Sequence, residues 1–461
     1  MRRAAAAIVL ALGCGSPGRA PAPAPPHLLV LLADDMAADD LGAAGNPVVR
    51  TPNLDRLARE GVRFANAFTP NPICTPSRAA LLTGQTDWTN GCTFFGRPIS
   101  PRSPHFARTL AEAGYETFYT GKWHNDGRPW DRGFTSGAHH LVPPGCPADR
   151  GGHERPEIMD HGGGNRRTVE RFSSTLITDA AVDFLERRPS DARPFLMVVS
   201  YAAPHDPWTP PEEDVALYPA GSIPLPANFL PRPPGRWFTD WHGRELRDEA
   251  LMPFPRTPEG VREARRRYYG MITQMDRQIG RLLDVLDRRG LARDTLVVFL
   301  ADHGISLGAH GFSGKQAMYE ECLRLPLVLR HPRLPRGEAV RRELVSLIDV
   351  FPTLCDAAGV KVPSAVEGRS LLPLYRGEGA WARDRLFATF TSPAQHRMDV
   401  RALRTSRHKY IRHLTTGEEE LYDLEGDPHE MRNLADDPGR ADLRRSLSEE
   451  LSAWQSRVNP R

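Results

Sequence analysis

The chain has 461 residues, 40% apolar and 25% charged, which suits one large globular core with an appendage. Lys and Arg number 60 against 57 Asp and Glu, a formal net charge of +3, and no basic block carries interleaved aromatics, so a nucleic-acid ligand is not expected. Six cysteines are too few for a disulfide scaffold, and a Cys92–Cys146 pair is left open.

The first residues, MRRAAAAIVLALGCGSPGRAPAPAPP, set two arginines before an apolar run from Ala4 to Gly13. That is an export signal, too short to span a bilayer stably. Cys14, in ALGC, stands where a bacterial lipoprotein signal is cut, and lipid attachment and plain secretion are both open. The Pro/Ala tract to Pro26 reads as a stiff linker. The expected location is therefore periplasmic or extracellular, with membrane contact only through a lipid anchor at Cys14. No later stretch is apolar enough for a transmembrane helix.

From His27 onward, strands and helices alternate. HLLVLLADD (His27–Asp35) is a continuous apolar run, the signature of a strand buried on both faces, and it ends in two carboxylates. TPNLDRLAREGVRF (Thr51–Phe64) has helical spacing at Leu54, Leu57 and Ala58. NPICTPSRAALLTGQ (Asn71–Gln85) presents Cys74 in a proline-flanked turn, with Arg78 on the first turn of the helix that follows. HFARTLAEAGYETFYTGKWH (His105–His124) gives a helix, a stop at Gly114, and a strand ending in Lys122 and His124. STLITDAAVDFLER (Ser174–Arg187) is an amphipathic helix. PFLMVVSYAAPHDP (Pro194–Pro207) is a strand ending at His205. The Pro-rich stretch from Pro207 to Pro258, with Trp208, Trp237 and Trp241, reads as a surface insertion near the sheet edge where the charged strand ends meet. Val261–Gly290 is a long helix with a stripe at Met271, Met275, Ile279, Leu282 and Leu286. DTLVVFLADHG (Asp294–Gly304) is a strand ending in Asp302 and His303, and LRLPLVLRHP and VSLIDVFPTLCDAAG follow as a strand and a helix.

This alternation predicts an α/β fold with a large, mostly parallel sheet and helices on both faces. After about Leu386 the pattern changes to short antiparallel strands and a closing amphipathic helix, a small C-terminal α+β subdomain. The expected division is 1–26 for signal and linker, 27–385 for the catalytic domain and 386–461 for the C-terminal subdomain. Parallel sheets bind ligands beyond the carboxyl ends of their strands. Four strands end in Asp, His or Lys, so these charges should converge on one sheet edge.

Asp34, Asp35, Asp302 and His303 at two strand ends would repel one another unless a cation joined them, and an oxygen-rich set favours Ca²⁺ or Mg²⁺. Taken singly, either pair reads as well as a helix cap. Lys122, His124, His205 and Lys315 (in GKQAMYE) add positive charge near the same edge. With Arg78 they suit an oxyanion, because Arg and Lys match sulfate or phosphate oxygens and a histidine can protonate a leaving alcohol.

CTPSR followed by AALLTG resembles the signature of type I, formylglycine-dependent sulfatases, a branch of the alkaline phosphatase superfamily. The resemblance runs from about His27 into the C-terminal subdomain, in the family's motif order, and is nearer to bacterial glycan sulfatases than to aryl-ester specialists. It implies an alkaline-phosphatase-like fold. It implies that Cys74 is oxidised by a formylglycine-generating maturation enzyme to an aldehyde, formylglycine. It further implies one Ca²⁺ held by Asp34, Asp35, Asp302, His303 and the modified Cys74. Arg78 and Lys122 would hold the aldehyde hydrate, and Lys122, His205 and Lys315 would bind sulfate oxygens. His124 would contact the hydrate and help expel sulfate, and His205 is the first choice to protonate the leaving alcohol. Many members carry Asn where this chain has His303. The implied activity is hydrolysis of an organic sulfate monoester, with a sulfated small molecule or glycan as substrate. The alternatives are a phosphonate or phosphodiester hydrolase of the same superfamily and a glycan-binding protein without turnover. The complete set of site residues argues against the last. Trp88, Trp123, Trp130 and Trp208 are either sugar-stacking rings or ordinary core and rim aromatics.

Overall fold

The computed structural model describes residues 24–144, 146–235, 247–331, 333–334, 339–392 and 398–458. The signal-like segment with Cys14, and Trp237 and Trp241, lie outside the described residues.

Four strands form the centre of a ten-stranded sheet: β1 (His27–Ala33), β2 (Glu116–Gly121), β3 (Phe195–Ser200) and β4 (Thr295–Ala301). They lie side by side in the order β4-β1-β3-β2, all parallel, with Leu29 beside both Met197 and Val297. Their sequences are continuous apolar runs because helices cover both faces. Phe118 meets Phe184 of α2 (Ser173–Glu186) on one face at 4.6 Å between ring centroids. Its neighbour Tyr119 points the other way, onto Phe134, which edges against Phe106 of the helix Phe106–Glu112. The Met271–Leu286 stripe of the long helix α3 (Pro258–Arg288) is fully buried. Thr257 caps that helix by accepting a hydrogen bond from the Gly260 N–H at 3.1 Å.

The sheet's margins are less regular than the sequence suggests. The strand Leu327–Arg330 runs antiparallel to β4, and beyond the strand Ser136–Leu141 two short antiparallel strands close the far edge. A separate three-stranded sheet brings Ala67–Phe68, Arg324–Leu325 and Val345–Ser346 together. The Pro207–Pro258 region is not a mere surface insertion. Tyr218, Ile223, Asp248, Glu249 and Arg256 are buried, and Arg256 is held by the Glu249 carboxylate and the Ser313 hydroxyl. The described cysteines are free, so Cys92 and Cys146 do not pair; both thiols are buried and raised to about 12 by that burial.

The C-terminal lobe is a four-stranded antiparallel sheet, β5 (Arg385–Thr391), β6 (Asp399–Thr405), β7 (His408–His413) and β8 (Glu419–Asp423), in sequential order. Helix α4 (Ala441–Val458) packs Leu447, Leu451 and Trp454 on it, with Trp454 stacked flat on Phe387 at 4.6 Å. Polar ties join this lobe to the main one. Buried Lys409 on β7 bridges Glu320 at 2.8 Å and Glu430 at 2.7 Å, and the Tyr319 hydroxyl donates to Glu420 at 2.9 Å.

Buried histidines make part of the stability pH-dependent. His105 is 3% exposed, and its Nε2 accepts from the Arg132 guanidinium at 3.2 Å. Burial first, then Arg132, lowers its pKa to about 3. A folded pKa below the unfolded value gives stability that is fully present above about pH 6.5 and is lost as pH falls toward 3, at about 1.4 kcal/mol per unit. A His105→Gln variant lacks this dependence. The difference in unfolding free energy between the native chain and that variant should therefore shrink by about 2 kcal/mol from pH 8 to pH 5, measured by urea titration. A constant difference would show that His105 takes up protons equally in the folded and unfolded states, its pKa unshifted by burial.

Candidate active site

Every residue singled out for chemistry arrives at one place, beyond the carboxyl ends of the four parallel strands. β1 runs into Asp34 and Asp35, β2 into Lys122 and His124, and β4 into Asp302 and His303. His205 lies five residues past the end of β3 rather than at it. Gly121 permits the turn off β2: its φ is +96°, and a Cβ there would sit 1.9 Å from the Ser200 carbonyl oxygen. Asp35 and His124 are also held in left-handed backbone, at φ 66° and 57°, and such strain gathers at functional sites.

Cys74 is the first residue of helix α1 (Cys74–Thr83), and Arg78, one turn on, shares its face. Contrary to the sequence expectation of a presented turn, Cys74 is 1% exposed. The prolines around it do set a turn, but the helix they start is buried along its whole length, between the strand ends and neighbouring helices. Around the thiol, Sγ lies 3.4 Å from Lys315 Nζ, 3.4 Å from His303 Nε2 and 3.8 Å from Lys122 Nζ. Burial would raise the thiol's pKa, but Lys122, Lys315 and His303 outweigh it and hold it well below the ordinary value.

Arg78 ties the strand ends together. Its Nε donates to Asp302 at 2.9 Å and Nη2 to Asp34 at 3.2 Å, while Nη1 donates to the Lys122 carbonyl at 3.0 Å and to Ser200 Oγ at 2.8 Å. Lys122 Nζ also binds Asp34, and Lys315 Nζ spans both oxygens of Asp35 at 2.6 Å. The carboxylates respond differently. Burial works against ionisation of Asp34, yet Lys122 and Arg78 hold its pKa below the usual range. Burial dominates at Asp35 and Asp302, raising the latter to about 7.

His205 Nε2 faces Asp35 at 3.9 Å, and its Nδ1 lies 2.7 Å from the Asp206 carbonyl and 3.3 Å from that residue's carboxylate. His153 Nε2 lies 3.0 Å from the His205 carbonyl. Burial and Lys122 oppose protonation of His205, but Asp206 and Asp35 raise its pKa to about 9. His124 moves the other way: burial and Lys122 lower it to about 4.

The donor set fits a hard divalent cation. Ligand atoms of Asp34, Asp35 and Asp302 lie within 4.8 Å of one another, and so do those of Cys74, Asp302 and His303. Three buried carboxylates offer the oxygen-rich surroundings that calcium and magnesium prefer, with the His303 nitrogen as the unusual member.

A cavity of about 320 Å³ opens onto Cys74, lined by Lys122, His124, His205 and Lys315, and also by Phe95, Pro144, Pro147, Arg247, Asp248 and Gln316. The last six were not found from sequence. Asp206 was missed too, although its place beside His205 in PHDP was a usable signal. The four tryptophans do not line the cavity. Trp123 is buried edge-on to Tyr119, Trp88 lies under Arg401, Trp130 packs on His140 and His161, and Trp208 packs on the core.

The sequence model of the sulfatase family matches residues 26–360. The chain belongs to the sulfatase family. A second model, N-sulphoglucosamine sulphohydrolase, C-terminal, matches residues 308–457 of this sulfatase. The sulfatase is 29% identical to an N-acetylglucosamine-6-O-sulfatase of Bacteroides thetaiotaomicron, over 89% of this chain and 82% of that one. Among solved structures, one described as in complex with its substrate D-glucosamine-2-N,6-O-disulfate superposes with a TM-score of 0.83 at 27% identity, covering 94% of this sulfatase and 98% of that chain. A phosphonate monoester hydrolase from Silicibacter pomeroyi superposes at 0.79 with 26% identity, covering 94% and 96%.

Proposed function

We propose that this sulfatase is exported and removes sulfate from a sulfated carbohydrate, using formylglycine at position 74 and one calcium ion. The observation that carries this reading is Cys74 at the start of a buried helix, its sulfur 3.4 Å from Lys315 Nζ and 3.8 Å from Lys122 Nζ, with three carboxylates behind it. Residues 27–385 would form the catalytic domain and 386–461 the C-terminal subdomain. The export signal at the N-terminus, with secretion or lipidation at Cys14, supports a substrate met outside the cytoplasm. The relative named for N-acetylglucosamine 6-sulfate and the neighbour bound to a sulfated glucosamine support an aminosugar sulfate as the first substrate to test.

Asp34, Asp35, Asp302 and His303, with the modified residue 74, would hold the calcium ion. The ion supplies positive charge against the sulfate oxygens, and the aldehyde hydrate supplies a nucleophilic hydroxyl with a second hydroxyl beside it. The chain's own groups do the rest. Lys122 and Lys315 bring fixed ammonium charge to the cavity where the sulfate oxygens would sit, and because both are already desolvated and paired they need little reorganisation as charge develops. Arg78 keeps the strand ends in register beneath residue 74. His205, its Nδ1 engaged by Asp206, presents Nε2 toward the cavity as the acid for the leaving alcohol. His124, beside residue 74, is the group to accept a proton as sulfate leaves. Since Cys74 is 1% exposed, a maturation enzyme would have to reach it before helix α1 is packed.

The second reading, a phosphonate or phosphodiester hydrolase, is favoured by the likeness to the phosphonate monoester hydrolase. Steady-state rates of the matured protein on N-acetylglucosamine 6-sulfate, 4-nitrophenyl sulfate and a phosphonate monoester decide between them. The sulfate esters are expected to turn over faster, and exhaustive chelation to cut that rate at least about 100-fold, with recovery on adding calcium. Faster phosphonate turnover would reverse the assignment, and a rate indifferent to chelation would remove the metal from it.

A further inference from the structure

Gln316 follows Lys315 directly and lines the same cavity. It is 7% exposed, and its backbone is left-handed, with φ +81°. Its side-chain oxygen Oε1 is buried and has no hydrogen-bond partner among the described residues. Each feature costs free energy: roughly 1–3 kcal/mol for a left-handed residue bearing a Cβ, and roughly 1–3 kcal/mol for a buried acceptor without a donor. A glycine would avoid both.

The surroundings narrow what the amide serves. The cavity's other newly found lining groups are Phe95, Pro144 and Pro147, which are apolar, and Arg247 with Asp248, which are paired to each other at 2.8 Å. Arg247 is engaged further by Asp206. Phe95 is 39% exposed and lies over the His124 ring at 5.5 Å between centroids, offering an apolar face to the same cavity. An amide oxygen only accepts hydrogen bonds. Sulfate oxygens also only accept, so Oε1 cannot serve the sulfate. The donor that a bound ester can bring to it is an O–H or N–H on its alcohol portion.

We propose that Gln316 is a specificity-determining residue that accepts a hydrogen bond from a hydroxyl or N–H substituent of the sugar bearing the sulfate. It thereby favours sugar sulfates over sulfate esters whose leaving group has no donor. This rests on the sulfatase reading above.

The test is kcat/KM of the native enzyme and of Gln316→Leu and Gln316→Gly on two esters. One is the fastest of a panel of sulfated monosaccharides that includes N-acetylglucosamine 6-sulfate, and the other is 4-nitrophenyl sulfate, whose ring carries no donor. The ratio of sugar to aryl kcat/KM is expected to fall about 10- to 100-fold in both variants, the loss of one buried acceptor. Glycine meets no steric penalty at positive φ, so Gln316→Gly keeps the test valid if Gln316→Leu misfolds. A ratio within about threefold of native in the folded variant, whether both rates hold or both fall, overturns the proposal. So does a native enzyme that hydrolyses 4-nitrophenyl sulfate but no sugar in the panel. If the native enzyme hydrolyses neither ester, the sulfatase reading fails and this proposal fails with it.

Discussion

Cys74→Ala is expected to lower kcat/KM on any sulfate ester by more than about 10⁴-fold while leaving the fold intact, because it removes the only proposed nucleophile from a site that otherwise keeps its charges. Alanine is smaller, fits a helix start without clash, and leaves Lys122 on Asp34 and Lys315 on Asp35. Cys74→Ser is the more informative partner. A serine hydroxyl can attack sulfur and release the alcohol, but it has no second hydroxyl from which to expel sulfate. That variant is expected to release at most one equivalent of alcohol and to gain the mass of SO₃ on the peptide carrying residue 74. The native peptide, expressed with a maturation system, should carry the aldehyde or its hydrate. A thiol at position 74 in fully active enzyme, or Cys74→Ala turnover within about tenfold of native, would end the nucleophile assignment.

The second large effect is on stability. Arg78→Met should lower the unfolding free energy by about 3–5 kcal/mol, because it leaves Asp34 and Asp302 buried without the guanidinium that compensates them. Methionine keeps most of the side chain's volume, so the loss is electrostatic. Arg78→Lys should recover little of it, since one ammonium cannot reach Asp302, Asp34, the Lys122 carbonyl and Ser200 together. Denaturant unfolding of the three proteins at neutral pH measures this. If Arg78→Met unfolds within about 1 kcal/mol of native, Arg78 is not the tie that holds the strand ends.

These effects bear on residues whose placement could be read before any coordinates. Parallel strands buried on both faces show as unbroken apolar runs, and three of the four runs stop directly at the functional charges. Cys74 and Arg78 are four apart, so any helix starting at CTPSR puts them on one face. What sequence did not supply falls into two kinds. Strands of two or three residues, such as Ala67–Phe68 and Val345–Ser346, carry too few side chains to show a period, so the small second sheet and the antiparallel margins were missed. Phe95 and Gln316 reach the cavity from loops, and Arg247 from the start of a short helix, Arg247–Leu251, placed by packing far along the chain, and nothing local marks them. The burial of Cys74 was misjudged for the same reason: proline-flanked turns are usually surface features, and here the surrounding helices and sheet close over one.

The ties around Tyr319 and Glu320 link the C-terminal lobe to a cavity that none of its described residues lines. Lys315 and Gln316 stand a few residues before Tyr319, which is bound to Glu420, and Glu320, which is bound to Lys409 and Arg404. The back wall of the substrate cavity is thus anchored in a sheet remote in sequence. A substitution that shifts that sheet would therefore shift Lys315 and Gln316 while leaving every cavity residue itself unsubstituted.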